Sequence, residues 1–140
     1  MLIGSYQGLL SEARRVAVPK KFITELGQKP IVAKWYEDCL IMVTNDFWEN
    51  LSTRLVGDKK TIDLGVRDIE RFILGSAFEI EADDQGRIII PEILAKYAKF
   101  DKDLVFVGLI DRVEIWPKDV WDEKSETLAK TTKEYIENIK

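Results

Sequence analysis

The sequence carries one ten-residue pattern twice. Residues 82–91 read Ala-Asp-Asp-Gln-Gly-Arg-Ile-Ile-Ile-Pro, and residues 10–19 read Leu-Ser-Glu-Ala-Arg-Arg-Val-Ala-Val-Pro. The arginine, the three aliphatic residues and the proline lie 72 positions apart, and Val32 corresponds to Val105 at a spacing of 73, as one inserted residue would produce. An internal duplication limits the possible folds more than any local propensity does, because both halves of the chain must then share one topology.

Each copy predicts a turn, a short strand and the start of a helix. In the second copy, Asp83 suits the first position of a type I turn, and Gly86 suits the position that needs a positive φ. Arg87 follows the turn, and the aliphatic residues 88–90 predict a short buried strand. Pro91 suits the first turn of a helix because its φ is fixed and it has no N–H. We therefore expect Asp83, Gly86 and Arg87 to serve mainly the structure of this turn.

The duplication also predicts how the chain is divided. A first repeat covers residues 1–56, a linker with one helix covers 57–76, and a second repeat with a long C-terminal helix covers 77–140. The segment 57–60, Gly-Asp-Lys-Lys, has the composition of an exposed connection. Two halves of about 70 residues are marginal on their own, so we expect them to pair around a pseudo-twofold axis and share the core of one small barrel.

The hydrophobic pattern predicts a mixed α+β fold with a mainly β core. The helix that follows residue 43 has Thr44 or Asn45 as its N-cap candidate. Strands are predicted at 6–10, 16–18, 31–35, 39–43, 78–82, 88–90, 104–109 and 113–116, and helices at 19–26, after 44, at 66–74, at 91–98 and from 118.

The charge of the chain is unevenly distributed. The net charge is −4, yet residues 1–34 hold six basic residues against two acidic ones, a local charge of +4 that leaves −8 on the rest. A local basic patch on an acidic protein can bind an anion, because fields beyond about 10 Å are screened at ordinary salt. Charge alone fits a solvated lysine-rich surface equally well.

The composition argues against an enzyme. The chain has no histidine and a single cysteine, Cys39, which lies in a strand pattern and is typical of a small core residue. The adjacent carboxylates Asp83 and Asp84 are more typical of a solvated turn than of a metal site, and no Walker-type phosphate loop is present. We therefore expect no catalytic residues, no metal and no cofactor.

The same composition predicts a location. A single cysteine allows no intrachain disulfide, which favours a reducing compartment. The longest apolar run, residues 104–110, is too short to span a bilayer. We expect a soluble cytoplasmic protein without a membrane partner.

On these residues the chain resembles the MraZ family of bacterial transcriptional regulators, built from two AbrB/MazE-like swapped-hairpin units of the SpoVT-AbrB type. The resemblance covers nearly the whole chain. Its most specific mark is Asp-x-x-Gly-Arg at 83–87 followed by Ile-Ile-Ile-Pro, and others are Gly4-x-Tyr6, the pair Arg67 and Arg71, and Glu-Ile-Trp at 114–116.

The resemblance implies a DNA-binding regulator of the division and cell-wall gene cluster. Members of the family assemble as rings and bind short direct repeats of double-stranded DNA upstream of their own operon, which implies a nucleoid-associated protein. Apolar stripes on the helices after residues 44 and 118 also predict a homo-oligomer. A protein-binding, antitoxin-like module of the same fold remains the alternative, because fold alone does not determine function.

The first repeat departs from the family pattern. Ser11 and Arg14 stand where the pattern would place Asp and Gly. Ser11 can still begin a turn through its hydroxyl. Arg14 would lose about 1–2 kcal/mol in the left-handed conformation that glycine adopts freely. Either the loop is reshaped, or the strain is tolerated because the charge is useful.

We expect the first-repeat turn and helix start to contact DNA, with Arg14 and Arg15 central and Lys20 and Lys21 supporting. Arginine at a hairpin tip can donate two hydrogen bonds to O6 and N7 of guanine, whereas lysine suits phosphates. The alternative is that Arg15 pairs with a carboxylate, as Arg87 can with Asp83.

Overall fold

A computed structural model describes residues 1–56 and 63–139, which form eight strands, five α-helices and two short 3₁₀ helices. The predicted connection at 57–60 lies outside the described residues. The strands are β1 (Ile3–Leu9), β2 (Arg15–Ala17), β3 (Ile31–Lys34), β4 (Leu40–Val43), β5 (Phe78–Glu79), β6 (Arg87–Ile89), β7 (Asp103–Leu109) and β8 (Val113–Pro117). The helices are α1 (Lys20–Leu26), α2 (Asn45–Val56), α3 (Leu64–Phe72), α4 (Glu92–Ala98) and α5 (Lys118–Ile139). The predicted α+β fold is confirmed.

One predicted strand is shorter than expected. The pattern predicts a strand at 78–82, but ladder pairing in β5 stops at Glu79. The Ile80 N–H donates to the Pro30 carbonyl at 2.9 Å, and the Ala82 N–H donates to Gln28 at 2.8 Å. Proline has no N–H to return, so the chain stays extended without completing the ladder.

The two halves exchange their first strands. A six-stranded antiparallel sheet runs in the order β1-β7-β8-β4-β3-β5, and β2 and β6 form a separate two-stranded ribbon. Thus β1 pairs with a hairpin of the second half, while β5 pairs with the hairpin of the first half. Each half therefore completes the sheet of the other, as expected for swapped-hairpin repeats.

The ribbon has the register that a local twofold axis requires. It pairs Arg15 with Ile89, Val16 with Ile88, and Ala17 with Arg87. Because the repeats are offset by 72 residues, Val16 and Ile88 are equivalent positions, and here they face each other. Both are 1% exposed. The pseudo-twofold axis therefore passes between these two side chains.

The main core lies between the inner face of the sheet, the ribbon, α1 and α4. Phe22 of α1 and Phe106 of β7 are fully buried there. A Cβ placed on Gly8 would lie 2.7 Å from the Phe106 ring, so the close approach of β1 to the core requires glycine. Val16 and Ile88 of the ribbon pack into this core, and the outer face of the ribbon is turned towards solvent.

Helices α2 and α5 cover the opposite face of the sheet. Leu51 of α2 packs with Ile41 and Val43 of β4. Trp121 of α5 packs on Trp116 of β8, with ring centroids 5.5 Å apart. The remainder of α5 leaves the sheet, and no residue of this helix is buried within the described part of the chain. None of the described helices combines the length and apolar character needed to cross a membrane.

Candidate nucleic-acid interface

The turns of the two repeats have the same backbone hydrogen bonds. In the first turn, Ser11 donates to the Arg15 carbonyl at 2.9 Å, and Arg14 donates to the Ser11 carbonyl at 2.9 Å. In the second turn, Asp83 donates to Arg87 at 2.9 Å, and Gly86 donates to Asp83 at 3.0 Å. The first turn is therefore not reshaped by its departures from the family pattern.

Arg14 adopts the left-handed conformation that glycine adopts in the second turn. Its φ is 61°, against 76° for Gly86. Its Nε donates to the Ile90 carbonyl at 2.9 Å, and the Ile90 N–H donates to the Arg14 carbonyl at 2.8 Å. Gly86 has no side chain, so the second turn has no counterpart of the bond from Arg14 Nε to the Ile90 carbonyl. The strain at Arg14 is thus opposed by an added hydrogen bond between the repeats.

Arg15 and Arg87 occupy equivalent positions on the outer face of the ribbon but differ in their partners. Arg87 Nε donates to Asp83 Oδ2 at 2.8 Å. Within residues 1–56 and 63–139, the Arg15 guanidinium has no hydrogen bond or ion pair, and its side chain is exposed. Among the described residues, Arg15 does not form the pairing with a carboxylate that was considered from the sequence.

The carboxyl group of Asp83 stabilises the second turn in its charged form. Its pKa lies below its usual range, chiefly because the Arg87 backbone N–H donates to it, and the Arg87 side chain and Gln85 N–H add to this effect. Both carboxylate oxygens therefore already accept hydrogen bonds from the turn. Cys39, the lone thiol, is fully buried, and burial raises its pKa far above its usual range.

The structure brings Arg14 and Arg15 together but places Lys20 and Lys21 elsewhere. Strand β2 ends at Ala17, and Lys20 and Lys21 are the first residues of α1. Lys20 lines a cavity of about 320 Å³ with residues 84–86 of the second turn. Lys21 Nζ donates to the Tyr6 hydroxyl at 3.2 Å and lies 5.4 Å from the centroid of that ring. Arg14 and Arg15 therefore belong to the first turn and the start of the ribbon, whereas Lys20 lies beside the second turn and Lys21 beside β1.

Three lysines near the first turn were missed by sequence reasoning. Lys96, Lys99 and Lys102 line a cavity of about 470 Å³ together with Arg14. They belong to the second repeat, so only the exchange of strands brings them to the first turn. The acidic residues of the same cavity largely balance the charge of these lysines; they are Glu12, Glu92 and Asp101.

Glu92 shows this balance directly. Lys96 Nζ lies 3.2 Å from its carboxylate, and the pKa of Glu92 is lowered, first by the hydrogen bond with Lys96 and then by the charges of Lys96 and Arg14. Lys96 is thus partly engaged within its own helix.

Comparison with known proteins decides the family. Residues 73–137 match a family model described as "MraZ protein, putative antitoxin-like". The chain is 39% identical over 142 aligned residues to the "Transcriptional regulator MraZ" of Caldanaerobacter subterraneus, an alignment that covers 99% of this chain and 96% of that protein. The chain belongs to the MraZ family. A protein of the same name from Oenococcus oeni is 33% identical, with 99% of this chain and 96% of that protein covered.

Several marks of the MraZ resemblance have structural roles. Gly4 has a φ of 92°, and the Tyr6 ring packs edge-on against Phe22 with centroids 5.3 Å apart. Trp116 Nε1 donates to Glu114 Oε1 at 3.0 Å. These residues fix β1 and β8 in the exchanged sheet, so they identify the MraZ fold more directly than they identify a binding surface.

Proposed function

We propose that this MraZ-family protein is a sequence-specific DNA-binding regulator of transcription, associated with the nucleoid, and that its first-repeat turn contacts the DNA. The relatives named transcriptional regulators support a regulatory role. The observation that carries the proposal is the exposed guanidinium of Arg15, which has no partner among the described residues and lies at one end of a ribbon packed on the core. An arginine with free donors on a rigid support suits recognition of a base edge.

The cationic side chains have different tasks in this proposal. Arg15 has all its guanidinium donors available for O6 and N7 of guanine, a contact worth about 1–3 kcal/mol of discrimination. Arg14 uses its Nε within the protein, so it contributes mainly charge at the turn. Lys20, beside the second turn, and Lys21, beside β1, contact phosphates and fix the orientation of the protein without reading sequence.

We further propose that the chain forms a homo-oligomeric ring that binds direct repeats upstream of its own operon. The exposed end of α5 supports self-association, because Tyr135, Ile136 and Ile139 are 63%, 52% and 83% exposed. Linked binding sites raise the effective concentration of each further contact. Affinity should therefore rise steeply with the number of DNA repeats engaged by one ring.

Binding to fluorescently labelled DNA from upstream of the native gene tests the proposal. Arg15→Ala should abolish the preference for repeat-containing DNA, whereas Lys21→Ala should weaken binding to all sequences and reduce the salt dependence. An Arg14→Ala, Arg15→Ala variant that remains folded and binds this DNA at unchanged concentration would show that the contact lies on another surface.

A protein-binding, antitoxin-like function is the second candidate. The description of the matching family model and the exposed apolar side chains of α5 favour it. Indifference to the upstream DNA at every salt concentration, together with tight capture of one protein partner, would support this function over DNA binding.

A further inference from the structure

The first residues of the two turns, Ser11 and Asp83, differ in the number of side-chain oxygens that can accept hydrogen bonds. Asp83 Oδ1 accepts the backbone N–H groups of Gln85 and Arg87, each at 2.9 Å, and Oδ2 accepts Nε of Arg87 at 2.8 Å. Ser11 Oγ accepts the Arg15 backbone N–H at 3.0 Å and so takes the place of Oδ1. Serine has no second oxygen, so the guanidinium of Arg15 has no counterpart of Oδ2.

The backbone does not account for the different states of the two arginines. The turn hydrogen bonds match, and both arginines lie on the outer face of the same ribbon in equivalent positions. The residue at the first position of each turn is therefore the local difference that decides whether the following arginine is paired.

We propose that Ser11 is a positioning residue for DNA binding: without a carboxylate at position 11 the Arg15 guanidinium is free for DNA, while Asp83 holds Arg87 on its own turn. This inference rests on the proposed DNA-binding function. It makes the first turn the reading turn and the second turn a structural one. A carboxylate installed at position 11 should pair with Arg15 and weaken DNA binding.

Other charged side chains lie near the Arg15 guanidinium. Arg15 and Arg87 both line a cavity of about 330 Å³, whose acidic residues are Glu79, Glu81 and Asp83. Within the described residues, none of these carboxylates lies within 4.0 Å of the Arg15 guanidinium. A carboxylate at position 11 would stand where Asp83 stands in the second turn. There the carboxylate lies 2.8 Å from Nε of the arginine four residues later.

The test compares Ser11→Asp with two matched variants. Ser11→Asn introduces a side chain with the shape of aspartate but without its charge. Ala13→Asp adds the charge of aspartate to the same exposed turn, two residues further on. Each is titrated against labelled upstream DNA by fluorescence anisotropy at several salt concentrations, after thermal melts have shown that it is folded. Because exposed ion pairs are weak, we expect Ser11→Asp to bind about two- to fivefold more weakly than either matched variant.

A second readout does not depend on DNA. The pKa of the new Asp at position 11, measured by NMR titration, should lie below its usual range and return towards it when Arg15→Ala is added. The reverse change, Asp83→Ser, should release Arg87 and tighten DNA binding about two- to fivefold, and Arg87→Ala should cancel that gain.

The outcomes separate the two proposals. Absence of DNA binding by the unmodified protein would overturn the proposed function and this inference together. If the unmodified protein binds DNA but Ser11→Asp loses no more affinity than Ala13→Asp, or binds more tightly than Ser11→Asn, this inference alone fails. A normal pKa for the Asp at position 11 would also overturn it, because the pairing would not have formed.

Discussion

Arg14 donates from Nε to the carbonyl oxygen of Ile90, 76 residues further along the chain, across 2.9 Å. The bond joins the tip of the first turn to the end of the second repeat's ribbon strand. A residue in an unfavourable backbone conformation therefore also links the two repeats.

Replacing Arg14 by glycine and by alanine should separate these two effects. Both variants lose the hydrogen bond to Ile90, but only alanine keeps the left-handed strain, which is worth about 1–2 kcal/mol. Arg14→Ala should therefore unfold at lower urea concentration than Arg14→Gly, by about 1 kcal/mol in the free energy of unfolding. Equal stability of the two variants would mean that the turn relaxes when the arginine is lost.

The two ribbon arginines should differ in their effect on stability. Arg87→Ala removes the side-chain bond to Asp83, whereas Arg15→Ala removes no bond of the guanidinium within the described residues. We expect a lower thermal midpoint for Arg87→Ala than for Arg15→Ala. Thermal melts in which Arg15→Ala is the more damaging change would contradict this division of roles.

The depressed pKa of Asp83 predicts a specific loss of stability in acid. The carboxylate contributes stability above the unfolded pKa of about 3.8, and this contribution disappears as the pH falls through the still lower folded pKa. The unmodified protein should therefore be more stable than Asp83→Asn at pH 6, and the difference should shrink as the pH falls below about 3.8. Urea unfolding across this range measures it, and a difference independent of pH would rule out the carboxylate as its source.

Lys99 offers a stabilising substitution. It ends α4 in the left-handed conformation, with a φ of 56°, where glycine is the preferred residue. Lys99→Gly should raise the free energy of unfolding by about 0.5–1 kcal/mol relative to Lys99→Ala, since alanine keeps the strain. Chemical denaturation of the two variants provides the measurement, and a more stable Lys99→Ala would contradict it.

The exposed end of α5 should determine self-association. A Tyr135→Ser, Ile139→Ser double variant removes apolar surface that is mostly exposed in the monomer, because these side chains are 63% and 83% exposed. We expect a smaller assembly by light scattering and an unchanged thermal midpoint for the monomer fold. A Lys133→Ser, Asn138→Ser variant on the same exposed turns serves as control. Equal assembly sizes for both variants would place the interface elsewhere.

Much of the fold follows from local pattern and duplication. Thr44, one of two predicted N-cap residues of α2, accepts the Phe47 N–H at 3.1 Å. Asn45 is instead the first residue of the helix, and its side-chain amide donates to the Lys29 carbonyl at 3.2 Å. The local pattern thus predicted the position of the helix start, while a distant contact decided which residue caps it.

The candidate site was less predictable because the repeats exchange strands. The residue types alone predict the conformational free energy that a left-handed Arg14 costs. They do not predict the hydrogen bond from Arg14 to Ile90 that opposes this cost, because the two residues meet only in the folded protein. Likewise, Lys20 and Lys21 follow Arg15 closely in sequence, yet Lys20 lies beside the second turn and Lys21 beside Tyr6 of β1. Lys99 reaches the first turn from the second repeat for the same reason.

The exchange of strands also has a consequence for biosynthesis. Ile3 of β1 pairs with Leu109 of β7, so the first strand has no sheet partner until more than 100 further residues have been translated. At about 5–20 residues per second, this delay lasts on the order of 5–20 s. The backbone N–H and C=O groups of β1 are without their ladder partners during that time, because β7 has not yet been made. A chain that stops before β7 would therefore leave β1 without its sheet partner.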